Sequence, residues 1–362
     1  MKTPKFRETI MQITAYVPGK PIEDVKREFG LDDVIKIASN ENPLGPSPKA
    51  VEAIKAAACE INQYPDGACF ELRQKLAKHL GINPENLIFG DGGDEVIFHF
   101  AEAFINPGDE IITPDTTFSE YATSALLMGG KPVTVPMKDW EIDVDALLGA
   151  VTDKTKAIYI TNPNNPTGSL LPKEKIDYLL EKMPEDCLLF LDEAYYEYVD
   201  DPGYTSSLEY IKADKNVLAL RTFSKVYGIA GCRIGYGIAP KRIIDLMEKT
   251  RLPFNVSRIA QKAALAALDD IDHVAKSRKV NQEGKAFLYR EFDKLGLEYK
   301  PTQGNFVWVD VKTDCKALFA KLQRMGVIVR AGAPFGAPTH IRVSVGTQRE
   351  LDKFIECLKK VL

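Results

Sequence analysis

The sequence predicts an α/β fold: a large domain with a mostly parallel sheet sandwiched by helices, plus a smaller α+β domain. Three observations predict it. From Pro48 to about residue 250, short apolar runs typical of strands alternate with amphipathic runs typical of helices. The strand-like runs are apolar throughout, as in a sheet covered on both faces. After about Arg251 the alternation stops, and long helices are followed by a few short strands.

The chain of 362 residues is long enough for this organisation. We expect an N-terminal arm at 1–44, a large domain at 45–250 and a small C-terminal domain at 251–362. The arm is rich in turn-forming residues and has one helical segment at 22–29. Its pattern fits a flexible tail and an ordered arm that covers a site equally well.

The elements follow in order. Helices of the large domain are predicted at 48–62, 70–81, 94–105, 118–129, 144–151 and 172–183. Strands are predicted at 86–89, 110–114, 131–136, 156–162, 187–191 and 217–222. The small domain is predicted to have helices at 257–270, 272–296, 315–326 and 348–361, and strands at 306–311, 327–330 and 340–345. Ser47 suits a helix N-cap, and Gly81 suits a helix end.

Composition excludes several classes of function. The hydrophobic fraction of 45%, the charged fraction of 27% and the formal net charge of −4 give no basis for a nucleic-acid or membrane surface. The first residues lack an apolar signal core, so we expect a cytoplasmic protein. The six cysteines form no CxxC pair, and the four histidines have no metal-ligand spacing. No metal site is therefore expected.

Lys225 directly follows the predicted strand 217–222 and the turn after it. Such a lysine is either a solvated loop residue or a nucleophile whose pKa the site lowers so that it forms a Schiff base. The hydroxyls of Thr222 and Ser224, with Arg233 eight residues on, favour the nucleophile because they suit a phosphate ester anchored beside it. A lysine imine beside a phosphate clamp is what pyridoxal 5′-phosphate requires.

Two further strands end in polar residues, and ligands of parallel sheets gather at that edge. Asp192 follows a buried apolar run; it is a helix cap, a structural ion pair or the partner of the cofactor's pyridine nitrogen. Asn165 lies in NPNNPTG, where simple turn chemistry is the alternative. With Tyr195, it would bind the ring oxygen of the cofactor.

Another candidate phosphate contact is the turn GDGGDE at 90–95, between a strand and a helix. We expect the backbone amides of Gly93 and Asp94 to bind the phosphate there. Phe118 begins the helix predicted at 118–129, and is either a core aromatic or a ring stacked on the cofactor. In HIRVSVG, Arg342 alternates onto the face opposite Ile341 and Val343, as an exposed strand charge or a carboxylate clamp.

The chain carries nine motifs in order: YVPG, SNENPLGPSP, YPDG, GDGGDE, NNPTG, DEAYYEY, TFSK with Arg233 after it, GNFVWVD and IRVSVGT. Together they resemble those of the fold-type I pyridoxal-phosphate aminotransferases, and most of all the histidinol-phosphate aminotransferase subfamily. The resemblance covers nearly the whole chain. One motif departs, because Asp91 and Gly93 stand where the family commonly has asparagine and serine.

The resemblance implies transamination between L-histidinol phosphate and 2-oxoglutarate, with Lys225 as general base and acid. It implies a homodimer in which Tyr64 reaches the cofactor phosphate of the neighbouring subunit. Arg342 would bind the substrate carboxylate or the corresponding group of the acceptor. Tyr16 and Arg330 would lie near the distal end of the substrate, with Asn305 on the small-domain side and Asn165 also near the substrate.

Alternatives stay open at this point. Within the same scaffold they are an aromatic amino-acid aminotransferase and a decarboxylase of phosphothreonine-like substrates. A cofactor-binding regulator would need an added DNA-binding domain, for which the chain has neither the spare length nor a basic patch. A purely structural protein would leave Asp192, Lys225 and Arg233 unexplained.

Overall fold

A computed structural model describes residues 4–15 and 19–362. Within this part of the chain, the strands form sheets of two, four and seven strands. Numbered along the chain, the strands are β1 Ile35–Lys36, β2 Leu87–Gly90, β3 Glu110–Pro114, β4 Lys131–Val135, β5 Thr155–Thr161, β6 Leu188–Asp192, β7 Val217–Thr222, β8 Gly235–Ile238, β9 Glu298–Lys300, β10 Phe306–Asp310, β11 Val327–Ile328, β12 Arg330–Ala331 and β13 His340–Ser344.

The helices cover both faces of the largest sheet and pack against the four-stranded one. They are α1 Ile22–Phe29, α2 Pro48–Ala57, α3 Phe70–Leu80, α4 Gly92–Phe104, α5 Glu120–Leu127, α6 Val144–Gly149, α7 Lys173–Lys182, α8 Leu208–Lys212, α9 Lys241–Met247, α10 Arg258–Ala267, α11 Ile271–Lys294, α12 Cys315–Arg324 and α13 Gln348–Val361.

The seven-stranded sheet is mostly parallel, as predicted. Its strand order is β2-β8-β7-β6-β5-β3-β4. All neighbouring strands are parallel except at β8, which is antiparallel to both β2 and β7. Since β2 and β7 both oppose β8, β2 runs in the same direction as the parallel strands. The carboxyl ends of six strands therefore meet at one edge.

Alternate residues of each central strand enter two different cores. Leu189 and Leu191 of β6 belong to the cluster on one face of the sheet, and Leu188 and Phe190 belong to the cluster on the other. Burial on both faces explains why these strands are apolar throughout instead of alternating. The same pattern made them visible in the sequence.

A second, smaller unit is built on the antiparallel sheet β12-β13-β10-β9. Its core contains Val307 and Val309 of β10, Ile341 and Val343 of β13, and apolar residues of α11, α12 and α13. Strand β1 pairs in parallel with β11, which joins the N-terminal segment to this unit. The predicted boundary at residue 250 stays a prediction; α10 packs on α2 and on the core of the large sheet.

Local signals predicted several element ends. The Ser47 hydroxyl accepts a hydrogen bond from the Ala50 amide, and Gly81 ends α3 with a φ of 65°. The sequence analysis missed α8, α9, β1, β8 and β9, which are short or glycine-rich. Helix α5 begins at Glu120, two residues after the predicted start. No helix among the described residues is long and apolar enough to cross a membrane.

Candidate active site

The predicted site residues converge at the carboxyl edge of the large sheet. Asp192 is the last residue of β6, and Lys225 lies three residues after β7. The loop after β5 carries Asn165, and helix α4 begins two residues after β2 ends. Parallel strand direction alone therefore brings these segments to one edge.

Asp192 is almost fully buried, with 5% of its surface exposed. One carboxylate oxygen accepts from the Tyr121 hydroxyl at 2.6 Å, and the other accepts from the Ala194 amide at 3.0 Å. Burial raises the pKa of Asp192 to about 6, against the opposing effect of Tyr121. Asp192 forms no ion pair with any residue that the structure describes, so it is a buried carboxylate held by neutral donors.

Lys225 is partly buried and its amine donates to the Ser39 carbonyl oxygen at 3.3 Å. Its Nζ lies 5.7 Å from the centre of the Tyr195 ring. Burial, followed by the positive charge of Arg342, lowers the pKa of Lys225 to about 8. A sizeable fraction of the amine is therefore neutral, and so nucleophilic, close to neutral pH.

Arg233 and the start of α4 form the opposite end of the site. Arg233 donates to the Asp94 carboxylate at 3.0 Å, and about half of each side chain is exposed. Thr222 donates to the Ser224 hydroxyl at 2.9 Å, and both residues are buried at the end of β7. These contacts order the two hydroxyls that precede Lys225 in the chain, and they fix the Arg233 guanidinium at the first turn of α4.

Glycine is required at the start of α4. Gly92 has a φ of +80°, and a Cβ there would collide with the Arg233 guanidinium. A Cβ at Gly235 of β8 would lie 2.6 Å from the Gly93 amide nitrogen. The backbone of β8 thus packs directly against the first turn of α4. The first amides of a helix have no intrahelical acceptor, so this turn presents free donors to an anion.

Arg342 and Asn165 meet where the small unit contacts the large one. Arg342 is buried, so it is not an exposed strand charge. Its guanidinium donates to the Asn165 side-chain oxygen and, at 2.6 Å, to the Ala38 carbonyl oxygen. Arg330 of β12 is the cross-strand neighbour of Arg342 on β13. Two arginines therefore occupy paired positions of adjacent strands, and one of them, Arg342, contacts Asn165.

Tyr195 and Asn305 are buried and both contact Asn40, a residue to which the sequence analysis gave no role. The Asn40 side-chain nitrogen donates to the Tyr195 hydroxyl at 3.0 Å. Asn305 donates to the Asn40 carbonyl oxygen at 3.0 Å. The N-terminal segment therefore joins the loop after β6 of the large sheet to the small unit, as an ordered arm would.

Three predicted residues remain, namely Phe118, Tyr64 and Tyr16. Phe118 is partly buried and meets Tyr121 edge-on, at 5.8 Å between ring centres. Tyr64 is 80% exposed and stacks on Phe254. Tyr16 lies outside the described residues. No group of histidine, cysteine and acidic side chains that could hold a metal occurs in residues 4–15 and 19–362.

The site fits a ring that carries a phosphate, an aldehyde and a basic nitrogen. The first turn of α4 has backbone amides for the phosphate, and Arg233 packs against it at Gly92. The lowered pKa of Lys225 suits attack on the aldehyde, and the buried Asp192 carboxylate forms no ion pair with a described residue, so it suits a protonated ring nitrogen. Pyridoxal 5′-phosphate carries all three groups. The residues present therefore match this cofactor.

Comparison with known proteins agrees with this site. The family model of aminotransferase class I and II matches residues 32–358. The chain belongs to this family. The histidinol-phosphate aminotransferase of Moorella thermoacetica is 50% identical over 360 residues, covering 99% of this chain and 93% of that protein. That of Caldicellulosiruptor saccharolyticus is 45% identical and covers 99% of this chain and 100% of that protein.

Solved structures of aminotransferases share the fold. The histidinol-phosphate aminotransferase of Sinorhizobium meliloti, in complex with pyridoxal-5′-phosphate, superposes with a TM-score of 0.90 at 31% identity. The match covers 100% of this chain and 99% of that one. The aspartate aminotransferase of Thermus thermophilus with maleate has a TM-score of 0.84 at 26% identity, covering 99% and 100%.

For this aminotransferase, the sequence analysis missed Tyr121 and Asn40. Tyr121 lies in an apolar helix and looks like a core aromatic, but its hydroxyl supports Asp192. The signal that could have found it is the buried carboxylate itself, which needs a donor nearby. Asn40 stands within the SNENP motif, but its partners are far away in the sequence.

Proposed function

We propose that this aminotransferase transfers the amino group of L-histidinol phosphate to 2-oxoglutarate, giving imidazole-acetol phosphate and glutamate in histidine biosynthesis. Relatives that carry this name span at least 98% of the chain at 41% to 50% identity. The transamination chemistry is supported by the position of Lys225 after β7, at the sheet edge where β6 ends in the buried Asp192.

Pyridoxal 5′-phosphate is the cofactor of this reaction, and when bound it supplies a ring that accepts the electron pair left when the donor loses its α-proton. The phosphate would be held by Thr222, Ser224 and Arg233 and by the amides of Gly93 and Asp94. Asp192 would face the ring nitrogen, and its buried carboxylate keeps that nitrogen protonated. Asn165 and Tyr195 would bind the ring oxygen, and Phe118 would cover the ring.

Lys225 moves the proton. Its Nζ accepts the α-proton in the neutral form and returns it in the charged form, so one amine serves as base and acid. A pKa of about 8 keeps both forms accessible near neutral pH. Desolvation by the surrounding residues and the nearby Arg342 charge together maintain that value.

The substrate side rests on the two arginines of the small unit. Arg342 would bind the carboxylate of 2-oxoglutarate and glutamate through its guanidinium fork. Arg330 and Tyr16 would bind the distal end of the substrate, and Asn305 would contribute from the small-unit side. Asn165 would border the substrate as well as the cofactor, and its contact with Arg342 supports this.

We further propose a homodimer with a shared site, in which Tyr64 binds the cofactor phosphate of the neighbouring subunit. The high exposure of the Tyr64 and Phe254 rings supports this, since stacked aromatic rings are typical of interfaces. The division into arm, large domain and small domain at residues 44 and 250, and a cytoplasmic location, belong to the same proposal.

The test is a comparison of amino donors. Purified, cofactor-loaded protein receives 2-oxoglutarate with histidinol phosphate, phenylalanine, tyrosine or phosphothreonine, and the glutamate formed is measured. The proposal expects the highest kcat/KM with histidinol phosphate. Higher kcat/KM with phenylalanine or tyrosine would keep the lysine chemistry and move the enzyme to aromatic amino-acid metabolism.

A further inference from the structure

Three consecutive residues of the N-terminal segment each contact one side chain of the proposed site. The contacts are Arg342 to the Ala38 carbonyl oxygen at 2.6 Å, Lys225 to the Ser39 carbonyl oxygen at 3.3 Å, and the Asn40 side chain to the Tyr195 hydroxyl at 3.0 Å. Of these three residues, Asn40 is the one that uses its side chain. It is therefore the one whose role a substitution can isolate.

Asn40 is held rigidly. It is 1% exposed and has a φ of +56°, a conformation that asparagine and glycine adopt more readily than other residues. Its amide donates to the Ser344 hydroxyl at 2.8 Å, and its carbonyl oxygen accepts from Asn305 at 3.0 Å. Both main-chain groups are thus fixed to the small unit, independently of the side chain.

The orientation of the Asn40 carboxamide follows from Ser344. The Ser344 oxygen already accepts from the Asn40 amide, so its single proton is free to be donated to the Asn40 side-chain oxygen, 2.8 Å away. The carboxamide oxygen must then face Ser344, and the nitrogen must face Tyr195. Reversing the carboxamide would turn its donating nitrogen towards Ser344, and the Ser344 proton would lose its acceptor.

This orientation restricts what the Tyr195 phenol can do. An amide nitrogen donates but does not accept, so the phenol cannot give its proton to Asn40. The phenol oxygen is the acceptor of that contact, and its proton is left for another acceptor. The Tyr195 ring is fixed as well, because Phe306 packs edge-on against it at 5.1 Å between centres.

We propose that Asn40 is a positioning residue: its side-chain N–H holds the Tyr195 hydroxyl so that the phenol proton is donated to the ring oxygen of the bound cofactor. This inference rests on the proposed function, in which Tyr195 binds that oxygen. A donor at this oxygen stabilises its deprotonated form and so lowers the pH at which the bound cofactor changes its visible absorbance.

The experiment is a spectroscopic pH titration of the cofactor-loaded full chain, compared among wild type, Asn40→Gly, Tyr195→Phe and the double variant. Glycine tolerates the positive φ and keeps both main-chain bonds of residue 40. We expect Asn40→Gly to raise the absorbance midpoint by about 0.5 to 1 pH unit, the effect of one hydrogen bond. The double variant should have the midpoint of Tyr195→Phe alone, because Asn40 acts through Tyr195.

Two further variants make the result decisive. Asn40→Asp keeps an acceptor for Ser344 but replaces the side-chain N–H with a carboxylate oxygen. That oxygen accepts a hydrogen bond from the Tyr195 phenol, which then no longer donates to the cofactor, so this variant should also raise the absorbance midpoint. Asn42→Ala is the matched control: this buried side chain contacts Val226 and Ser277, so its midpoint should equal that of wild type. Thermal unfolding of each variant separates a positioning effect from lost stability.

The outcomes are distinguishable. A wild-type midpoint in Asn40→Gly, or additive shifts in the double variant, would overturn the role of Asn40 and leave the proposed function intact. The proposed function expects a visible absorbance band of the bound cofactor in wild type that is absent from Lys225→Ala. If the two proteins have the same visible spectrum, the proposed function is wrong, and the role of Asn40 is wrong with it.

Discussion

Arg342 donates a hydrogen bond to the side-chain oxygen of Asn165, although 177 positions separate the two residues in the sequence. Asn165 lies in the loop after β5 of the large sheet, and Arg342 lies on β13 of the small one. The bond therefore joins the proposed cofactor side of the site to the proposed substrate side. A shift of the small unit relative to the large sheet would therefore change the cofactor side and the substrate side of the site together.

Arg342→Lys should raise the KM for 2-oxoglutarate about tenfold to a hundredfold, because an ammonium cannot form the two parallel bonds that a guanidinium gives a carboxylate. The spectrum of the bound cofactor should change little. Steady-state kinetics at varied 2-oxoglutarate measures this. Arg349→Lys is the control, since the exposed Arg349 pairs with Asp33 on the surface, and its KM should stay at the wild-type value.

The lowered pKa of Lys225 predicts how fast the cofactor-free protein takes up pyridoxal 5′-phosphate. The amine attacks the aldehyde in its neutral form, whose fraction rises about tenfold per pH unit below the pKa. With a pKa of about 8, the absorbance-monitored rate should rise steeply from pH 6 to 8 and level off above that. A rate that still climbs steeply beyond pH 9 would mean an ordinary lysine pKa.

Arg342 contributes to that lowered pKa through its positive charge. The Arg342→Gln variant removes this charge, so its rate of cofactor uptake should level off at a higher pH than that of wild type. The Arg349→Gln variant should level off at the wild-type pH. An unchanged profile in Arg342→Gln would mean that burial alone lowers the pKa of Lys225.

Tyr64 can be tested by mixing subunits. We expect Lys225→Ala and Tyr64→Ala to be inactive or nearly so as separate homodimers. In a mixed dimer, a site with Lys225 of one subunit and Tyr64 of the other is intact, so activity should return. Tyr178→Ala replaces another exposed tyrosine and should be active by itself. A mixture that stays inactive would show that Tyr64 acts within its own subunit.

Glu197 predicts a pH dependence of stability. Both of its carboxylate oxygens are buried, and this burial raises the pKa of Glu197 from 4.5 to about 8. Between these two values the folded protein holds a proton that the unfolded chain releases. The contribution of Glu197 is therefore greatest below pH 4.5 and is lost as the pH rises towards 8.

Glu197→Gln should remove this dependence, because the amide is neutral at every pH. Relative to wild type, the variant should gain up to about 1.4 kcal/mol per pH unit between pH 5 and 8 in urea unfolding. The exposed Glu181→Gln should show no such trend. Parallel stability curves for wild type and Glu197→Gln would contradict the prediction.

The sequence was enough to predict the large sheet because its strands are buried on both faces and bounded by turn residues. Strand β3 has the predicted ends, and Asp192 and Lys225 lie at the predicted edge. Strand β8 was missed because glycines fill half of Gly235–Ile238, and they are needed for packing against α4, which only the fold reveals. The sequence around β8 does not indicate that α4 packs against this strand.

The partners of the site residues were the hardest to predict. Tyr121 supports Asp192 from 71 positions away, and the contact of Ala38 with Arg342 uses a carbonyl oxygen that every residue possesses. Neither has a local signature, because the side chain or carbonyl is ordinary and only the fold brings it close. The positions of Asp192 and Lys225 at the sheet edge could be predicted, and the residues that contact the site residues could not.

The most direct test of the account is the glutamate formed from histidinol phosphate and 2-oxoglutarate by wild type, Lys225→Ala and Lys215→Ala, each loaded with cofactor. Lys215 is exposed, lies two residues before β7 and serves as the matched lysine. The account predicts turnover in wild type and Lys215→Ala, and none above background in Lys225→Ala. Near-normal turnover in Lys225→Ala would contradict it.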